Sequence, residues 1–157
     1  MPARPILSHP IRFAGLPYSA RLVVWSTRKW AELVKTGPRD LDHLQQAYRF
    51  ARAADALPVL DGFLTVLIIA YEARLEIRNV GEAMLSADEA RLVDLIASLQ
   101  ASAMPRAADL LDAWLPPAGH PAVLQQGRRF ARLLAMAGHF LPSVEPATAG
   151  TETKRIG

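Results

Sequence analysis

The chain has 157 residues, of which 51% are apolar, a net charge of +3 and no cysteine. That length allows one domain with its own core, and the lack of thiols excludes disulfide frameworks, thiolate metal sites and cysteine nucleophiles. The longest apolar run, Leu57 to Tyr71, is broken by Pro58, Asp61, Gly62 and Thr65; a membrane span needs roughly 20 apolar residues, so a core helix is expected, with no membrane partner.

Residues 1–17 read as an irregular N-terminal arm, too rich in proline for a presequence helix and without the apolar block of a secretory signal. The expected compartment is the cytoplasm, of bacterial type. A helical domain is expected over 18–142. Ser19 is a candidate N-cap, and the first helix stops at Gly37-Pro38. Leu22, Val23, Ser26, Trp30, Leu33 and Val34 share one face of it at helical spacing.

Asp40 is placed to cap a second helix carrying Leu41, Leu44, Tyr48 and Ala51, which ends near Ala54 or Asp55. Asp55 is the candidate cap of a third, with Pro58 in its first turn. This third helix (57–72) is apolar nearly all round, which predicts a central position. Arg74 to Val80 alternates as a strand does, but with no second strand in view, helix or irregular chain is expected.

Ser86-Ala87-Asp88-Glu89 has the pattern of a capping box, opening a fourth helix with Leu92, Leu95, Ile96 and Leu99. Pro105 opens a fifth, ended by Pro116-Pro117. His120 and Pro121 open a sixth, whose stripe is Val123, Gly127, Phe130, Leu134 and Ala137, closed by Gly138. The polar residues 143–157 read as a disordered tail. The expected fold is therefore all-α, a single bundle of about six helices.

Charge is segregated. Residues 1–31 carry +5 and no acid, residues 113–144 carry +3 and no acid, and the rest carries −5. Fifteen of the 18 basic residues are arginine, able to make bidentate contacts with carboxylate or phosphate, although a high-GC genome would enrich arginine equally.

Catalytic signatures are not found: the sequence has no Gly-rich phosphate loop, no Gly-x-Ser-x-Gly and no His-Glu-x-x-His. Asp40, Asp42 and His43 could touch a metal, but capping and first-turn roles account for the two acids. Asp61 is the acid most apt to be drawn toward the core; a first-turn position offsetting the helix dipole is the expected use. Glu72 and Glu76 would share a face on a continued helix, salt-bridged with Arg74 and Arg78. No catalytic residue, metal or cofactor is assigned.

The binding candidates are arginines and one tryptophan. Arg21, Val24, Trp25, Arg28 and Lys35 are expected on the outer face of the first helix, with Trp25 between Arg21 and Arg28. An aromatic flanked by cations suits a core edge, an interface anchor or a nucleic-acid base. Arg128, Arg129 and Arg132 lie opposite the stripe of the last helix. If the two helices were neighbours, their basic faces would merge. A helix-turn-helix reading of the fourth and fifth helices fails on Asp109 and Asp112, which would repel phosphate. The expected function is that of a protein-interaction, adaptor or regulatory module without catalysis, binding a protein partner and able to self-associate. The alternatives are nucleic-acid binding through the basic faces of the first and last helices, and a small ligand held beside the third.

Overall fold

The computed structural model describes residues 10–37, 41–71 and 73–142. Six α-helices carry the fold: α1 (Tyr18–Thr36), α2 (Leu41–Phe50), α3 (Ala56–Ala70), α4 (Ala87–Gln100), α5 (Met104–Trp114) and α6 (His120–Met136). Short 3-10 turns cover Phe13–Gly15 and Pro117–Gly119. The all-α bundle expected from helical periodicity is what forms, and no β-strand is present among the described residues. No helix among them is long and apolar enough to cross a membrane.

Packing partners follow from the stripes. The α6 helix lies on both α3 and α4, α5 lies on α4, and α1 lies on α2 and α4. Gly127 allows α6 to pack closely on α3 and α4. A Cβ added there would stand 3.1 Å from Leu99 Cδ1 and 3.2 Å from Phe63 Cε1. The rings of Phe63 and Phe130 stack beside it with centroids 6.1 Å apart.

The most enclosed helix is α4, not α3. Residues Leu92 through Leu99 of α4 are all buried. The α3 helix buries Val59, Leu60, Phe63, Leu64 and Leu67 but leaves Ile69 77% exposed and Ile68 43% exposed. Hydropathy pointed to α3 because α4 carries acids, and those acids are buried with partners. Asp88 accepts from Trp114 Nε1 at 3.0 Å and from the Glu76 amide at 2.8 Å. Asp94 accepts from Arg106 Nη2 through both oxygens, at 2.9 and 2.8 Å. Burial raises the Asp94 carboxyl above its ordinary pKa, against the lowering pull of Arg106.

Several local expectations are corrected. The α1 helix starts at Tyr18 with Pro17 as N-cap, and Ser19 Oγ instead donates to the Phe140 carbonyl at 2.8 Å. Asp55 makes no side-chain cap bond to α3. Gly119, rather than His120, is the N-cap of α6. Asp61 is exposed and lies beyond the first turn of α3; its Oδ1 accepts from Trp30 Nε1 at 2.8 Å. The α2 helix stops at Phe50, short of Ala54, because Arg52 turns left-handed at φ 60°. Helix α3 ends at Ala70, so Glu76 is not on a continued helix, and Glu72 lies outside the described residues; residues 73–79 are irregular chain, one of the two forms expected there. The capping role of Asp40 and the tail over 143–157 lie outside the described residues.

The capping box of α4 forms as read, and it does more than cap. Ser86 Oγ accepts from the Glu89 amide at 3.0 Å, and Glu89 Oε1 accepts from the Ser86 amide at 2.9 Å. The same carboxylate takes Arg28 Nη2 on Oε1 at 3.0 Å, and Arg28 Nε and the Arg78 amide on Oε2 at 2.9 and 3.0 Å. Arg28 also donates to the carbonyls of Glu82 and Met84. One buried ion pair thus ties α1, the start of α4 and the chain between α3 and α4 together.

Candidate binding groove

Two helical faces with the same spacing meet at the surface. On α1, Tyr18, Arg21, Leu22 and Trp25 follow at three, four and seven residues. On α2, His43, Gln46, Ala47 and Phe50 do the same. Between them lies a groove of about 750 Å³, with Phe13 of the first 3-10 turn also on its lining. Phe50 is 83% exposed and Tyr18 42% exposed, while Trp25, Phe13 and Arg21 are half-buried. A guanidinium and an imidazole stand on the lining, and among the described residues no carboxylate does.

The floor is held from beneath. Ser26 Oγ donates its single proton to the Leu22 carbonyl at 2.7 Å. The Tyr48 hydroxyl, 2.8 Å away, therefore donates to Ser26 Oγ. Burial raises the Tyr48 phenol far above its ordinary pKa and keeps it a donor. This pair joins α1 to α2 inside the core.

The mouth is held by the chain that follows α6. His139 Nε2 lies 2.7 Å from the Ala51 carbonyl, so that nitrogen carries the proton. Its ring packs on Tyr18 with centroids 5.8 Å apart. Gln100 of α4 fixes this segment, donating to the His139 carbonyl at 2.8 Å and accepting from the Leu141 amide at 2.7 Å. Phe13 is fixed by its amide, which donates to the Ala83 carbonyl at 2.8 Å, and by Arg28, whose guanidinium carbon lies 5.5 Å from the ring centroid.

No family model, no curated protein and no solved structure matches this chain. The groove must therefore be read from its own residues.

Of the six candidate binding residues, Arg21 and Trp25 line this groove together. Arg28 does not join them at the surface. It is 2% exposed and committed to Glu89, so the outer face expected for α1 is corrected at Arg28 and at Val24, which is fully buried. The face they share packs toward α4 and its cap. Arg128, Arg129 and Arg132 stand exposed on α6, away from the groove, and make no ion pair or hydrogen bond among the described residues.

Sequence reasoning missed Phe13, Tyr18, His43 and Phe50 as lining. The signal available was the matched spacing on α1 and α2; reading each helix for one buried stripe hid it. From the sequence, His43 stands out only as a metal-ligand candidate beside Asp40 and Asp42. Among the described residues, no group of three or more carboxylates and imidazoles is placed to hold a metal ion.

Proposed function

We propose that this protein is an interaction module that takes an apolar, acid-bearing segment of another protein into the groove between α1 and α2. The observation that carries this reading is the placement of Trp25 among Phe13, Tyr18 and Phe50, with Arg21 and His43 alongside and, among the described residues, no carboxylate in the lining. Large aromatic side chains and arginine are the residues that dominate binding energy at protein interfaces. A lining with a guanidinium and, among the described residues, no acid favours a ligand carrying carboxylates beside its apolar anchors. An adaptor or regulatory role in the cytoplasm is the setting in which such a module would work.

Selection of a random peptide library on the purified chain tests this. Enriched peptides are expected to pair aromatic or aliphatic anchors with Asp or Glu. Trp25→Ala, or the charge reversal Arg21→Glu, is expected to weaken the best of them by roughly tenfold or more. Phe50→Ser, at a side chain already in solvent, should weaken binding without loss of stability. Enriched peptides indifferent to all three changes would place the binding surface elsewhere.

A second reading, nucleic-acid binding, draws on the free arginines of α6. Leu133 and Met136 share a recess with Arg49, Arg52 and one acid, Asp55, at the end of α2. Arg129 and Arg132 each precede one of those two apolar residues by one helical turn, on the same side of α6. The basic surface that supports this reading therefore joins α6 to α2 rather than to α1, where Arg28 is buried. It predicts retention on heparin and an affinity that falls with salt at a log–log slope of about −0.9 per phosphate contacted. The triple change of Arg128, Arg129 and Arg132 to glutamine should remove most of that slope; an unchanged salt dependence rejects the reading.

A further inference from the structure

The chain between α3 and α4 holds an extended edge with no partner. The Glu76 amide donates to Asp88 Oδ2 at 2.8 Å, and the Glu76 carbonyl accepts from Ser86 Oγ at 2.5 Å. Two residues on, the Arg78 amide donates to Glu89 Oε2 at 3.0 Å. Both groups of residue 76 and the amide of residue 78 thus face the start of α4. That alternation is the signature of extended chain, in which successive residues turn their N–H and C=O to opposite edges. The opposite edge belongs to Leu75 and Ile77, whose backbone groups make no hydrogen bond among the described residues. Beside the segment runs a recess of about 510 Å³ with Trp30, Val34 and Ile68 in its walls; Val34 is 64% exposed.

We infer that this edge pairs with the same edge of a second copy of the chain, antiparallel about a two-fold axis at Leu75. An unpaired edge is a template for another strand, and the sequence selects this occupant by charge. With Leu75 opposite Leu75 of the second copy, Ala73 faces Ile77, and Arg74 faces Glu76 in both directions. A two-fold contact repeats every pairing, so both facing charge pairs are of opposite sign. A centre at Glu76 would need the edge already bonded to α4. A centre at Ile77 would set Glu76 opposite Arg78, which already holds that carboxylate within its own chain at 3.4 Å, and would leave Arg74 facing Val80. Arg74 and Glu76 are both exposed. The Leu75 and Ile77 backbone groups would form the hydrogen-bonded pairs of the ladder, and Val34 and Ile68 would gain apolar cover at its flank. The surface uses the far half of α1 from the peptide groove and stands independently of it.

Sedimentation of the full chain over a wide concentration range tests the inference. A dimer is expected whose dissociation constant rises roughly tenfold or more in Arg74→Glu, and likewise in Glu76→Arg, because each reversal turns both cross-strand pairs into like charges. The double swap R74E/E76R restores opposite signs and should restore the dimer. Circular dichroism should be unchanged in all three, since both side chains are in solvent. Amide exchange at Leu75 and Ile77 should slow as concentration rises, while Glu76 and Arg78 remain as they are. A strict monomer overturns the inference. So does a dimer indifferent to either single reversal, or one that the double swap fails to restore.

Discussion

Replacing Arg28 with methionine is expected to destabilise the fold by about 3–5 kcal/mol, the cost of leaving one half of a buried ion pair behind. Both side chains are 2% exposed, so water offers Glu89 little compensation. The loss is a large share of the roughly 5–15 kcal/mol that holds a domain of this kind together. Removing both charges should not recover it. Glu89 also accepts from the amides of Ser86 and Arg78, so R28M/E89L would leave two N–H donors without acceptors. A double-mutant cycle by urea unfolding checks this: R28M/E89Q, which keeps an acceptor oxygen, should be the more stable double variant. A loss below about 1 kcal/mol for Arg28→Met would mean that water reaches the carboxylate and that the clamp is not structural. The consequence for function is local. Phe13 packs against Arg28 and lines the groove, so on the proposed function the variant should lose affinity for the selected peptides even where it remains folded.

The same residue shows what was legible in the sequence. The all-α bundle and the breaks at Gly37, Pro105 and Gly138 follow from periodicity and from local backbone chemistry, both of which are written within a few residues of where they act. The capping box at Ser86 was legible for that reason. Its second role was not, because Arg28 is 61 residues from Glu89 and nothing in either neighbourhood announces the pairing. A lone arginine beside a tryptophan reads as surface until its acceptors are known. Buried Asp88, Glu89 and Asp94 carry the same lesson for α4: each acid made the helix look amphipathic, and each is enclosed because a donor from elsewhere meets it.

The groove was half legible. Arg21 and Trp25 are marked by their position on the helical wheel, a cation beside an aromatic away from the apolar stripe of α1. Tyr18 and Phe50 needed the pairing of α1 with α2, which rests on the Ser26–Tyr48 hydrogen bond and on Gln100 and His139 clamping the ends. Those contacts span from 22 to 88 residues of chain. The segment from Arg74 to Val80 is the reverse case. Its strand-like alternation was visible, and the missing second strand argued against it. The chain there satisfies one edge with side chains of α4 rather than with a strand, a solution that periodicity does not encode.

Phe63→Ala should rival Arg28→Met in effect. Phe63 is fully buried, stacks on Phe130 and fills the space that Gly127 leaves open between α3, α4 and α6. Truncation of such a ring costs about 3–5 kcal/mol through lost burial and an unfilled cavity, or a fall of roughly 6–20 °C in Tm for a chain of this length. The complementary change tests the same contact from the other side. Gly127→Val would drive a branched side chain onto Leu99 and Phe63, which already stand 3.1 and 3.2 Å from where its Cβ would be, at a cost of about 1–3 kcal/mol. Shortening the ring should relieve that overlap, so F63L/G127V is expected to be more stable than the sum of its single changes implies. Strict additivity of the two would show that α3 and α6 yield independently there, and that Gly127 is not what sets their separation.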